Sequence, residues 1–386
     1  MKKIPQQIEN YLPKQYLTTG ELAINHNYLQ AQFYDYDLIF AEIKKVVLTG
    51  DFTLGKEVDV LEAEYASLCN TRYAVSVGSG TDALFLSLKA LDIGPGDEVI
   101  TTPFTFYATV GAIVTAGAKP VFVDVKDDYN INVDAIEEKI SEATKAIIPV
   151  HWSGRPCDMD KLEYISKKYD IPVISDACHA INAKYKSQPI GGFGTASCFS
   201  FHPLKNLNVW GDGGMITTNS PSLANRLKLI RNHGLLGRDE CVEFGYNSRL
   251  DTIQAVVARH MLKKIDSITA KRRWNAHFFD LALQGVTEVL VPVREAIHQE
   301  VFHIYSLLFK DRDGIKAYLI RHGVDAKIHY PTPIHLQPAA LFLGHNTGDF
   351  PTSEHISAHI LSLPVHEFIT VEQMQLVVNL IKKYYE

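Results

Sequence analysis

Val75-Ser76-Val77-Gly78-Ser79-Gly80-Thr81-Asp82-Ala83-Leu84 is the stretch on which the fold turns. An apolar, strand-like run passes through a glycine turn into a segment with helical spacing, so strand, turn and helix start follow one another. Free N–H groups at a helix start make a seat for phosphate, and a small residue lets the anion come close. The same run also fits Gly-x-Gly-x-x-Ala, a dinucleotide fingerprint. That reading needs an acidic residue about 20 positions on, at the end of the second strand, to hold ribose hydroxyls. The region is Ile100-Thr101-Thr102-Pro103-Phe104, without an acid, while Asp97 and Glu98 precede the strand. A nicotinamide-dependent oxidoreductase is therefore the weaker reading. The plain structural alternative is a turn with Thr81 as an ordinary N-cap.

Working outward, short apolar runs alternate with helical patterns from Tyr73 to Thr218. Strands are expected at Tyr73–Val77, Val99–Thr102, Pro120–Val125, Ala146–Val150, Pro172–Ile174, Ser197–Phe201 and Met215–Thr218. Helices are expected at Thr81–Leu91 and Tyr107–Ala116, with more polar ones at Ile136–Ala143 and Met159–Lys168. The alternation argues for an α/β fold with a mostly parallel central sheet flanked by helices. Beyond a helix at Ile253–Lys264 the character changes to a strand at Ile304–Phe309 and helices at Gly314–Arg321 and Val371–Tyr385. The expected division is a large domain over 1–265, including an N-terminal segment 1–50, and a smaller C-terminal α+β domain over 266–386.

Lys205 lies in Ser200-Phe201-His202-Pro203-Leu204-Lys205-Asn206, between the apolar run Ala196–Phe201 and the glycine-rich Gly211-Asp212-Gly213-Gly214. A lysine in a partly desolvated pocket has a lowered pKa, and its neutral amine becomes a nucleophile. Asp176 stands 29 residues upstream, at the end of Pro172-Val173-Ile174-Ser175-Asp176. Pyridoxal phosphate enzymes pair these types, lysine for the aldehyde and carboxylate for the ring nitrogen. Asp176 taken alone also fits a helix N-cap. His179, three residues on, is placed to meet a cofactor hydroxyl, or equally to be a core histidine bonded to backbone. In Thr102-Pro103-Phe104-Thr105-Phe106-Tyr107, Phe106 is a flat ring at a strand-to-helix junction, suited to stacking on a pyridine face and equally suited to a core.

The chain has 386 residues, 46% hydrophobic and 21% charged, with a formal net charge of −6. That length allows more than one core. With no basic run, nothing points to nucleic acid, and no apolar stretch reaches membrane-spanning length. Met1-Lys2-Lys3-Ile4-Pro5-Gln6-Gln7 lacks the apolar region of a secretory signal. The five scattered cysteines lack metal-ligand spacing, and reduced thiols in the cytoplasm are expected.

The order phosphate turn, aromatic, aspartate, serine, lysine resembles the DegT/DnrJ/EryC1/StrS sugar aminotransferases, a family of fold-type I pyridoxal phosphate enzymes. The resemblance extends through Gly50-Asp51-Phe52-Thr53-Leu54-Gly55, Gly94-Pro95-Gly96-Asp97-Glu98-Val99, Asp176-Ala177-Cys178-His179 and Gly245-Tyr246-Asn247-Ser248-Arg249. It implies that Lys205 binds the aldehyde of pyridoxal 5′-phosphate covalently and then moves a proton between Cα of the donor and C4′ of the cofactor. It further implies Asp176 at the ring nitrogen, His179 at the ring hydroxyl and Phe106 at the ring face. Gly80, Thr81 and Ser200 would hold the phosphate, and Asn247 would reach the neighbouring subunit's cofactor, making a homodimer with shared active sites. Family dehydratases carry histidine at the lysine position, so Lys205 favours transamination. The segment Ile328-His329-Tyr330-Pro331-Thr332-Pro333-Ile334-His335 resembles enzymes that aminate C3 of a keto sugar rather than C4, with His329, Tyr330 and His335 as substrate-facing or structural loop residues and no metal. The implied reaction moves nitrogen from L-glutamate to a nucleotide-linked keto-deoxysugar. An aminocyclitol aminotransferase shares every motif quoted, and a regulatory protein that merely keeps the fold would be expected to lose Lys205 or Asp176.

Overall fold

The computed structural model describes residues 22–26 and 28–386. The signal-sequence reading at Met1 to Gln7 lies outside the described residues. Strands β1 (Tyr73–Val77), β2 (Glu98–Thr101), β3 (Lys119–Phe122), β4 (Thr144–Ile147), β5 (Ile174–Asp176), β6 (Ala196–Ser200) and β7 (Gly214–Thr218) lie within a residue or two of the expected runs, with the ends shifted further at β3 and β4. They stand in the order β3-β2-β4-β5-β6-β7-β1. Parallel bridges Ile147–Val173 and Val150–Asp176 join the β4 and β5 sides. Neighbours run parallel except at β7, which is antiparallel to both β6 and β1.

Successive strand residues point to opposite faces, and both faces are buried. Ile100, Ile147, Phe199 and Met215 enter one apolar cluster. Their neighbours Val99, Ala146, Cys198 and Ile216 enter the other. This two-sided burial explains why the strands read as near-continuous apolar runs.

Helices α1 (Gly80–Ala90) and α2 (Tyr107–Ala116) follow β1 and β2. The helix expected at Ile136–Ala143 does not form; short 3₁₀ turns at Val133–Ala135 and Glu137–Lys139 stand there instead. Ser141 and Thr144 divert the local hydrogen bonding. The Ser141 N–H donates to Thr144 Oγ1 at 2.9 Å, and Ser141 Oγ donates to Glu98 at 2.8 Å. Such short polar side chains compete with the helical ladder.

A second body carries an antiparallel sheet of Val289–Leu290, Tyr305–Phe309 and Ile360–Leu363. One long helix, α3 (Ile265–Ala282), serves both bodies. Its Ile265 and Ile268 pack into the large core, while Ala276 and Phe279 pack into the second. Ile24 also joins the second core, pairing in parallel with Val324.

Candidate active site

The carboxyl ends of the parallel strands open onto a cavity of about 310 Å³. Gly80, Thr81, Phe106, Asp176, Ser200 and Lys205 all line it. This is where open α/β sheets place their ligands, because loops diverge from the strand ends there.

At one end, Ser79 caps α1, its Oγ accepting the Asp82 N–H at 3.0 Å. The cap is therefore Ser79 and not Thr81, which sits exposed in the first turn. The N–H groups of a first helical turn lack partners inside the helix. A Cβ on Gly80 would stand 2.6 Å from Ser200 Cβ and 3.0 Å from Cys178 Sγ. A Cβ on Gly214 would stand 2.3 Å from the Ser79 carbonyl oxygen. Only glycine permits this close meeting of helix start, β6 and β7.

Asp176 ends β5, buried, with its backbone locked between Pro149 and His151. Its Oδ2 accepts from Thr109 Oγ1 at 2.7 Å, and its Oδ1 accepts from the Cys178 N–H at 3.1 Å. Each oxygen keeps a lone pair beyond these single bonds. Nearby burial drives the Cys178 thiol pKa well up, with Asp176 adding to the effect.

Lys205 sits on an arch between β6 and β7, closed at its base where the Phe201 N–H donates to Gly213 O at 2.7 Å. Inside the arch, Asn208 Nδ2 donates to Pro203 O at 2.6 Å and Lys205 O at 3.1 Å. Tyr28 Oη reaches Lys205 O at 3.4 Å. The lysine side chain touches the cavity yet is surrounded by protein, and burial lowers its pKa from the ordinary lysine value while Cys178 and Asp176 pull the other way. The amine is shifted toward its neutral, nucleophilic form.

His179 is buried, and its Nδ1 accepts the Ser153 N–H at 3.3 Å. In a neutral ring, Nε2 then carries the proton and faces outward as a donor. Burial first, then the charge of Lys205, holds its pKa well below the ordinary value. The His303 ring lies 4.4 Å away, centroid to centroid. His303 lines the same cavity.

His329 and Tyr330 reach the cavity; His335 does not. The His335 side chain is fully buried elsewhere, its Nε2 3.0 Å from Glu354 Oε1 and its ring T-shaped to that of Phe350 at 4.7 Å between centroids. It acts as a loop anchor, which corrects its candidacy as a substrate-facing group. Phe106 is half exposed, its ring 5.9 Å from that of Tyr330. Asn247 lies exposed outside this cavity, bridged by backbone to Asn232.

A family model, the DegT/DnrJ/EryC1/StrS aminotransferase family, matches residues 35–382. The chain belongs to that family. It is 40% identical over 350 residues to the Geobacillus stearothermophilus pleiotropic regulatory protein, covering 90% of this chain and 94% of that one. It is 39% identical to the UDP-N-acetyl-3-dehydro-α-D-glucosamine 3-aminotransferase of Acidithiobacillus ferrooxidans, with the same 90% and 94% coverage. Among solved structures, S. venezuelae DesV in complex with a ketimine intermediate superposes with a TM-score of 0.92 at 35% identity, covering 94% of this chain and 98% of that one.

DegT/DnrJ/EryC1/StrS aminotransferases use pyridoxal 5′-phosphate, and the residues present fit it. Gly80 leaves a cradle that any Cβ would fill, beside N–H groups suited to phosphate. Asp176 offers spare lone pairs at the cavity wall, and Lys205 offers a desolvated amine. Among the described residues, no group of three or more histidines, cysteines or acids is arranged to hold a metal ion, and no helix is long and apolar enough to cross a membrane.

Several cavity residues of this family member escaped the sequence reading. Thr109, which holds Asp176, is detectable only as a threonine four residues after Thr105, to which it bonds at 2.8 Å. His26, Tyr28 and Arg272 arrive from remote segments that carry no motif.

Proposed function

We propose that this aminotransferase moves nitrogen from L-glutamate to C3 of a nucleotide-linked keto-deoxysugar, as a cytoplasmic homodimer with shared sites. The observation that carries the transaminase chemistry is the pairing of Lys205 and Asp176 on one cavity beside the glycine-built helix start. Pyridoxal phosphate, when bound, supplies a protonated ring that accepts the electron pair left when a donor loses its Cα proton. Asp176 would keep the ring nitrogen protonated, and Thr109 and the Cys178 N–H hold that carboxylate in place. Lys205 Nζ, desolvated, would take the donor's Cα proton and deliver it to the cofactor carbon that carried the aldehyde. His179 would donate Nε2–H to the ring hydroxyl, Phe106 would cover the ring, and Gly80, Thr81 and Ser200 would hold phosphate.

The choice of a sugar acceptor and of C3 draws on the A. ferrooxidans relative's name and on the His329-Tyr330 segment at the cavity. The dimer draws on Asn247, exposed and away from its own cavity, and on Phe244, 99% exposed. The name of the G. stearothermophilus relative favours a regulatory reading. Against it stands a complete lysine–aspartate pair, which regulation alone has no need to keep. The deciding experiment records the near-visible spectrum of the holoenzyme, adds L-glutamate, and then offers 3-keto or 4-keto nucleotide sugars. Conversion to the amine form, reversed by the 3-keto substrate alone, is expected. No spectral change with glutamate would defeat the transaminase reading, and reversal by the 4-keto sugar alone would defeat C3.

A further inference from the structure

A strap of residues 22–26 contributes to one side of the cavity through His26. Ile24 pairs with Val324: its N–H donates to Gly323 O and its carbonyl accepts from the Asp325 N–H, both at 2.9 Å. Gln373 Nε2 adds a bond to Ala23 O at 3.3 Å. The strap thereby delivers His26 into the cavity wall, its ring 5.8 Å from that of His329.

The tautomer of His26 follows from its partner. Nδ1 lies 3.3 Å from the Asp325 carbonyl oxygen, which can only accept, so Nδ1 carries the proton. The His26 backbone N–H is taken by Asp325 Oδ2 at 3.3 Å, fixing the ring's root. A neutral imidazole has one N–H, which leaves Nε2 as a lone pair. Among the described residues, none is hydrogen-bonded to that nitrogen. Burial lowers the ring's pKa to about 4, against the pull of Asp325 and with the help of Lys327, so it is neutral at physiological pH.

The neighbouring histidines differ in kind. His179 presents a donor, since its Nδ1 is the accepting atom. His366 has both nitrogens engaged, Nε2 with Asn25 O at 2.9 Å and Nδ1 with the Phe368 N–H at 3.3 Å. His329 Nδ1 meets the Ser362 hydroxyl at 2.9 Å, which suits either tautomer. The cavity thus offers a fixed donor beside Asp176 and a fixed acceptor on the strap.

We infer that His26 Nε2 accepts a hydrogen bond from a hydroxyl of the acceptor sugar and so helps to choose a hydroxylated substrate for the second half-reaction. This rests on the sugar reading above. L-Glutamate gives its amine to the transfer itself and otherwise presents two carboxylates that only accept, and a lone pair facing either would repel it. A sugar hydroxyl donates, so the lone pair discriminates between the two substrates that share one cavity.

The test measures the two half-reactions separately on the holoenzyme by stopped flow, with L-glutamate and then with UDP-N-acetyl-3-dehydro-α-D-glucosamine. Losing one neutral hydrogen bond, His26→Ala should lower kcat/KM for the sugar step roughly three- to tenfold and change the glutamate step less than about twofold. His26→Gln, which can bring an acceptor oxygen near the lost Nε2, should recover part of the sugar step. Equal losses in both steps, or an unchanged sugar step in a variant that melts like the parent, would overturn the proposal. A parent enzyme that takes nitrogen from glutamate and passes it to no keto sugar would instead overturn the substrate reading beneath it.

Discussion

Among the described residues no hydrogen bond or ion pair joins Lys205 to Asp176, although both face one cavity. On the proposed function, that separation leaves the lysine for covalent chemistry and the acid for the ring. Replacing Lys205 with Ala is expected to abolish conversion by L-glutamate while pyridoxal phosphate still binds, as its absorbance in a desalted sample would report. A second outcome concerns acid. Burial lowers the pKa of His151, His329 and His366 to about 3 and that of His26 to about 4. Unfolded histidine titrates near 6.5, so below that pH the unfolded chain binds protons that the native rings refuse. Their contribution to stability is intact above pH 6.5 and falls as pH drops toward 4, by about 1.4 kcal/mol per histidine for each pH unit. Urea unfolding of the apoprotein at pH 7.5 and 5.5 should show a markedly lower midpoint at 5.5; equal midpoints would contradict the burial of these rings. At this scale the sequence exposed Lys205, Asp176 and His179 because each ends or follows a strand in a recognisable motif. It hid Thr109, His303 and His26 because their roles arise from contacts across the fold.

On the proposed function, cofactor binding turns on the start of helix α1. A methyl at residue 80 would collide with Ser200 and Cys178. Gly80→Ala should therefore push the helix start away from β6, destabilising the protein by about 1–3 kcal/mol and weakening pyridoxal phosphate binding, measured by thermal unfolding and cofactor titration. The strands were legible since two buried faces turn them into apolar runs, and α2 was legible from its Ala and Val spacing. The Ile136–Ala143 segment misled, because its apolar spacing is overruled by Ser141 and Thr144 bonding to their neighbours. Helix α3 hid for a different reason. Its partners change along its length, so no single apolar stripe marks it from Ile265 to Ala282.

For the whole molecule, the proposed dimer has a direct readout. Sedimentation should give twice the mass of one chain, and Asn247→Ala should loosen the cofactor without altering the spectrum of what remains bound. A monomer that transaminates at full rate would remove Asn247 from the site. The pairing of Ile24 with Val324 has a practical corollary for protein engineering. A version trimmed to begin after Tyr28 would still possess its lysine and its glycine cradle, yet one side of the chamber would be open to water. Such a shortened enzyme should consume glutamate while leaking its nitrogen to unselective ketones, so affinity tags and fusions belong on the other terminus.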